Sequence, residues 1–237
     1  MAAVDGEFVC GGYFLYAPQP WTREPGFERG PNCLWEGAAF FPDPWAIAWA
    51  GGELANDPRA EAAAFGVPPG DVDALVARVT ALFDEQAFLW PNVLPDLAAA
   101  RRFAAMLPRL DALRLIGVAF PAEDVEALIR FMTPPPQPGF APTSAGGVCD
   151  MLSARRPLEA GFTELGYDGV DVAGGLVSDG LSDLQRPWFE ESYGPRNAEG
   201  LCPSLENARR AAAALTESDV VGTPRTYWPA RIVRYAL

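Results

Sequence analysis

Leu113-Arg114-Leu115-Ile116-Gly117-Val118-Ala119-Phe120-Pro121-Ala122-Glu123-Asp124-Val125-Glu126-Ala127-Leu128-Ile129-Arg130-Phe131-Met132 changes its hydrophobic period half-way along. Leu113 to Phe120 is nearly continuous in apolar residues, which suits a strand buried on both faces. After it the apolar positions are Val125, Leu128, Ile129 and Met132, the i, i+3, i+4, i+7 stripe of an amphipathic helix. Pro121 is a good first helical residue, and Glu123 and Asp124 in a first turn would favour the helix dipole. A strand handing directly to a helix is half of a βαβ unit, although no return strand is evident.

Working outward, two further helices precede this segment. One begins near Pro69-Gly70-Asp71 and carries a stripe of Val72, Leu75, Val76, Val79, Leu82 and Phe83, with Asp71 and Asp73 in its first turn. The other begins at Pro95, turns Leu97, Ala100, Phe103, Ala104 and Leu107 to one side, and stops at Pro108. Near the C-terminus an Ala-rich helix runs from Leu205 to Leu215 with Ser204 as its N-cap. A short helical turn is expected at Ala60–Phe65. Strands are expected at Phe8–Tyr16, Trp45–Ala50, Thr163–Val172 and Ala230–Leu237. Thr133–Gly147 contains Pro134, Pro135, Pro136, Pro138 and Pro142 and reads as a long surface loop or a linker. The chain after it carries one good helix, which is thin for an independent core. The expected fold is therefore α+β: one domain over residues 1–237, with a mixed or antiparallel sheet, three to five flanking helices and a long Pro-rich loop at 133–147. A subdivision into 1–132 and 148–237 stays open.

Composition bounds the chemistry. The 237 residues include no histidine and no lysine; all 18 basic residues are arginine. That removes the Ser-His-Asp triad, the Cys-His pair, any His-containing zinc site, the P-loop lysine and the pyridoxal aldimine. Arginine in place of every lysine also fits a GC-rich coding bias, which accounts for missing lysine better than for missing histidine. The net charge of −13 argues against nucleic acid and against an anionic membrane surface, and suits a basic protein partner. Cys10, Cys33, Cys149 and Cys202 are too widely spaced for a zinc motif and read as reduced, partly buried thiols. No secretory signal and no membrane-length apolar run is visible, so a cytoplasmic location is expected.

Several constellations carry both a functional and a plainer reading. Asp168, Asp171, Asp179 and Asp183 lie within 16 residues among glycines, but without the EF-hand order. The plainer reading is strand and turn, with Ser178 or Asp179 capping a short helix through Gln185. Gly11-Gly12 lacks the rest of a dinucleotide fingerprint. Trp21, Trp35, Trp45 and Trp49 could form a stacking platform for a sugar, with Glu36, Asp43, Glu53 and Asp57 supplying a carboxylate pair; core packing and ordinary surface acids explain them as well. Arg101-Arg102, Arg155-Arg156 and Arg209-Arg210 are expected to pair with the surplus carboxylates. The strongest binding candidate is Asp179 to Glu191. It joins the acids Asp179, Asp183, Glu190 and Glu191 to the aromatics Trp188 and Phe189, with Pro187 favouring an exposed loop. Aromatic anchors provide contact energy, and acids steer a basic partner.

Leu165–Asp168, the turn Ser178–Ser182 and the terminal Ile232–Tyr235 give the C-terminal third a resemblance to uncharacterised bacterial proteins and to immunity proteins of contact-dependent toxin systems. Asp183 stands where a Cys or Asn is often expected after that turn. The resemblance implies binding to a protein. Together these features lead to the expectation of a non-catalytic, cytoplasmic protein-binding protein that neutralises a toxin by occlusion, with no catalytic residue, metal or cofactor. Two alternatives stand beside it: a carboxylate-based glycoside hydrolase or carbohydrate-binding protein, and a structural component of a phage or secretion apparatus.

Overall fold

Six strands, Phe8–Pro18 (β1), Ala38–Phe40 (β2), Arg114–Pro121 (β3), Thr163–Asp171 (β4), Ser178–Asp179 (β5) and Tyr227–Tyr235 (β6), form one sheet in the order β2-β1-β3-β6-β4-β5. Every neighbouring pair is antiparallel. The computed structural model describes residues 7–18, 38–40, 67–85, 93–106, 114–133, 146–172, 178–179, 194–217 and 226–237. The strand candidate at Trp45–Ala50 and the helical turn at Ala60–Phe65 lie outside them.

β3 is buried along nearly its whole length, as its apolar run requires, because β1 and β6 flank it on either side. It does not hand over to a helix at Pro121. Pro121 still pairs with Phe8, and the Ala122 N–H donates to the Glu7 carbonyl at 2.9 Å, so the strand pairing runs on. Proline fits the end of a strand, where a missing N–H costs no ladder bond. A tight turn through Asp124 follows, and the helix is Val125–Met132 (α3); Glu123 and Asp124 precede it rather than occupying its first turn. The return strand is also found. β4 runs parallel to β3, since each is antiparallel to β6, and the C-terminal β6 has inserted between them.

The other described helices are Val72–Asp84 (α1), Leu97–Ala104 (α2), Gly146–Ser153 (α4) and Leu205–Glu217 (α5). α1 follows a single 3-10 turn at Pro69–Asp71 and buries Val72, Leu75 and Leu82. α2 starts two residues later than Pro95. Asp96 is the N-cap, with extended backbone and a carboxylate accepting from the Ala99 N–H at 2.7 Å, which leaves Pro95 outside the helix. α4 departs from the sequence expectation: it begins at Gly146, within the 133–147 stretch whose prolines predict a loop, and buries Val148, Cys149, Met151 and Leu152. α5 has the expected cap, the Ser204 hydroxyl accepting from the Asn207 N–H at 3.2 Å, and extends to Glu217.

α5 packs on β4 and β6, α2 and α4 pack on β1, and α3 packs against α4. The main core gathers Phe14, Leu115, Ile116, Phe120 and Ile232 from the sheet with Leu97, Phe103, Leu128 and Leu152 from helices. A smaller core holds α5 through Ala208, Ala211, Ala212 and Leu215 against Cys202 and Tyr227. Strands from before the Pro-rich stretch (β1–β3) and after it (β4–β6) belong to one sheet, so the architecture is a single α+β unit.

Candidate functional site

The segment expected to bind a partner begins at the sheet edge. β5 is the terminal strand, and Asp179 pairs with Val170 of β4 while Ser178 pairs with Asp171. Both residues are paired with β4, and the short helix they were expected to cap lies outside the described residues. Asp183, Trp188, Phe189, Glu190 and Glu191 lie outside the described residues.

The Asp/Gly segment is split by the sheet. Asp168 and Asp171 are both buried in β4, three residues apart, so the alternation of a strand sends them to opposite faces. One Asp168 oxygen accepts from the Gly169 N–H at 2.8 Å. Gly11-Gly12 marks a register shift in β1, where Gly12 has a φ of +135°. It is a bulge rather than a phosphate loop. Trp21, Trp35, Trp45 and Trp49, together with Glu36, Asp43, Glu53 and Asp57, lie outside the described residues.

Among the described residues, one dense set of reactive groups is one that local sequence gave no sign of. Cys10 and Tyr13 of β1 meet Tyr235 of β6 beneath the segment that follows α4. The Tyr13 and Tyr235 rings stand edge to face at 5.6 Å. The Glu159 N–H donates to the Tyr13 hydroxyl at 2.9 Å, and the Tyr235 hydroxyl donates to the Glu159 carbonyl at 2.7 Å. The Glu159 carboxylate then accepts from the Leu97 N–H at 2.9 Å, capping the first turn of α2. These partners are 146, 76 and 62 residues apart in sequence, which is why no spacing rule finds them. Burial pushes the Cys10 thiol up to about 11, against weaker downward pulls from hydrogen bonds to the Gly12 backbone and Tyr13. Burial likewise pushes the Tyr235 hydroxyl to about 12 and raises that of Tyr13. A nucleophilic cysteine needs the opposite shift. The cluster fastens a strand, a helix end and a connecting segment together, and its thiol and two phenolic hydroxyls stay protonated near neutral pH. Cys149 and Cys202 are also buried, and burial raises Cys149 as well. Cys33 lies outside the described residues.

Some of the described arginines are engaged within the fold. In each dibasic pair one member meets a carboxylate. Arg102 meets Glu85 at 3.2 Å, Arg155 meets Glu126, and Arg209 meets Glu123 at 2.6 Å and Asp124 at 3.3 Å. Asp124 is the interesting partner. Burial raises its carboxyl above the ordinary 3.8, Arg209 pulls it down, and Glu123 pushes it up. Arg231 of β6 lies between the Phe8 and Phe162 rings, 5.3 and 5.2 Å from their centroids, and its Nε donates to Glu164 at 2.6 Å. By contrast Asp71, Asp73, Asp150 and Glu206 are exposed and make no ion pair among the described residues.

No family model matches the chain, and neither does any curated protein or solved structure. Two of the three motifs behind the C-terminal resemblance are neighbours in space: Leu165–Asp168 lies in β4 and Ile232–Tyr235 in β6, with Gly166 opposite Ile232. Among the described residues no helix is long and apolar enough to cross a membrane.

Proposed function

We propose that this chain is a non-catalytic protein-binding protein of the bacterial cytoplasm that neutralises a basic protein partner, such as a toxin, by covering it in the manner of an immunity protein. The observation that carries the reading is the distribution of charge. Among the described residues Arg102, Arg155, Arg209 and Arg231 are tied to carboxylates within the fold, exposed arginines such as Arg101, Arg156 and Arg210 and exposed acids such as Asp71, Asp73 and Glu206 are in no ion pair, and the acids outnumber the arginines to leave a net charge of −13. Such a field speeds the encounter with a basic surface and needs no catalytic group. The buried thiols of Cys10 and Cys149, both pushed up by burial, are poor nucleophiles, which is compatible with that reading.

The contact segment in this proposal is Asp179 to Glu191. It starts in the edge strand at Asp179, and its sequence carries Trp188 and Phe189 as anchors with Asp179, Asp183, Glu190 and Glu191 as steering acids. Loops springing from a rigid sheet are a common seat of recognition. The test is direct binding. The products of the genes adjacent to its own are purified and titrated against the full chain by calorimetry, with formation of a complex by at least one basic product expected. Failure of every one to bind at micromolar concentration overturns the proposal.

A further inference from the structure

We draw no further inference here: the strongest candidate, the aromatic patch where the exposed Phe131 at the end of α3 meets the Trp228 ring of β6 at 6.1 Å with the indole N–H lacking an acceptor, carries nothing because nothing in the structure shows what covers it.

Discussion

Tyr235 is the residue on which the three-way junction of β1, β6 and the segment after α4 depends, and its hydroxyl does two things. It satisfies the Glu159 carbonyl, and it sits where ionisation is strongly opposed. Replacing Tyr235 by Phe should cost about 1 kcal/mol at pH 7 through the lost hydrogen bond. The pH dependence follows from the direction of the shifts. Cys10 and Tyr235 titrate higher in the folded chain, at about 11 and about 12, than their ordinary 9.0 and 10.0. Their contribution is therefore fully present below about pH 9 and is lost as pH rises through 11 to 12. Urea unfolding across pH 7 to 11.5 should show the gap between the wild type and Tyr235→Phe narrowing toward the alkaline end; a constant or widening gap would mean that Tyr235 does not titrate as the geometry demands. Gly166 answers to a different constraint. Its φ is +144°, and a Cβ there would lie 2.9 Å from the Cys202 carbonyl oxygen. Gly166→Ala should lose about 1–3 kcal/mol from backbone strain alone, read as a lower urea midpoint with unchanged slope.

Elements are held to one another by fewer, more exposed contacts than those inside the sheet. α5 rests on β4 and β6 through small side chains: Ala212 lies over Gly169, where a Cβ would come within 3.3 Å of its own, and Thr216 accepts from the Tyr227 N–H at 2.9 Å at the start of β6. Its outer tether is Arg209, which bridges to Glu123 and Asp124 in the turn between β3 and α3. Arg209 is 39% exposed, so the bridge is screened and contributes under about 1 kcal/mol. Asp124 gives it a pH signature. Its raised carboxyl means that ionisation costs stability as pH rises, and Arg209 offsets part of that cost. Arg209→Ala should therefore destabilise the fold more at pH 7, where Asp124 is charged, than at pH 4, where it is partly protonated. Thermal melts at the two pH values measure it, and an equal loss at both would assign Arg209 a packing role instead. The same scale explains which helices were legible. α1 and α5 have long periodic stripes and first-turn or capping signals. α4 is eight residues long, opens on Gly146-Gly147 and follows five prolines, so its helical state comes from burying Val148 and Leu152 rather than from propensity.

Across the whole molecule the excess of acid sets how a partner would arrive, and the aromatics how long it would stay. Glu190→Gln with Glu191→Gln should slow association with a basic partner and flatten its salt dependence without altering the fold. Trp188→Ala should instead raise the dissociation rate, by about 2 kcal/mol or more if it anchors the contact. Stopped-flow association at two ionic strengths separates these effects, and an unchanged rate at low salt together with unchanged dissociation would place the contact elsewhere. The sequence alone determined what is local or summed over the chain. It carried the buried strands β1, β3 and β4, the amphipathic periods of α1 and α3, the Ser204 cap, the charge of −13 and the loss of histidine and lysine chemistry. Period, capping and net charge depend on residues within a few positions or on simple sums. The tertiary structure alone decided the rest: that β6 enters between β3 and β4, that Pro121 ends a strand instead of opening a helix, that Ser178 and Asp179 pair with β4, and that Cys10, Tyr13, Glu159 and Tyr235 converge. Each of these outcomes turns on a backbone or hydroxyl partner that chain folding brings in from far along the sequence, and the hydrogen-bonding demand of a buried group does not say which distant residue will meet it.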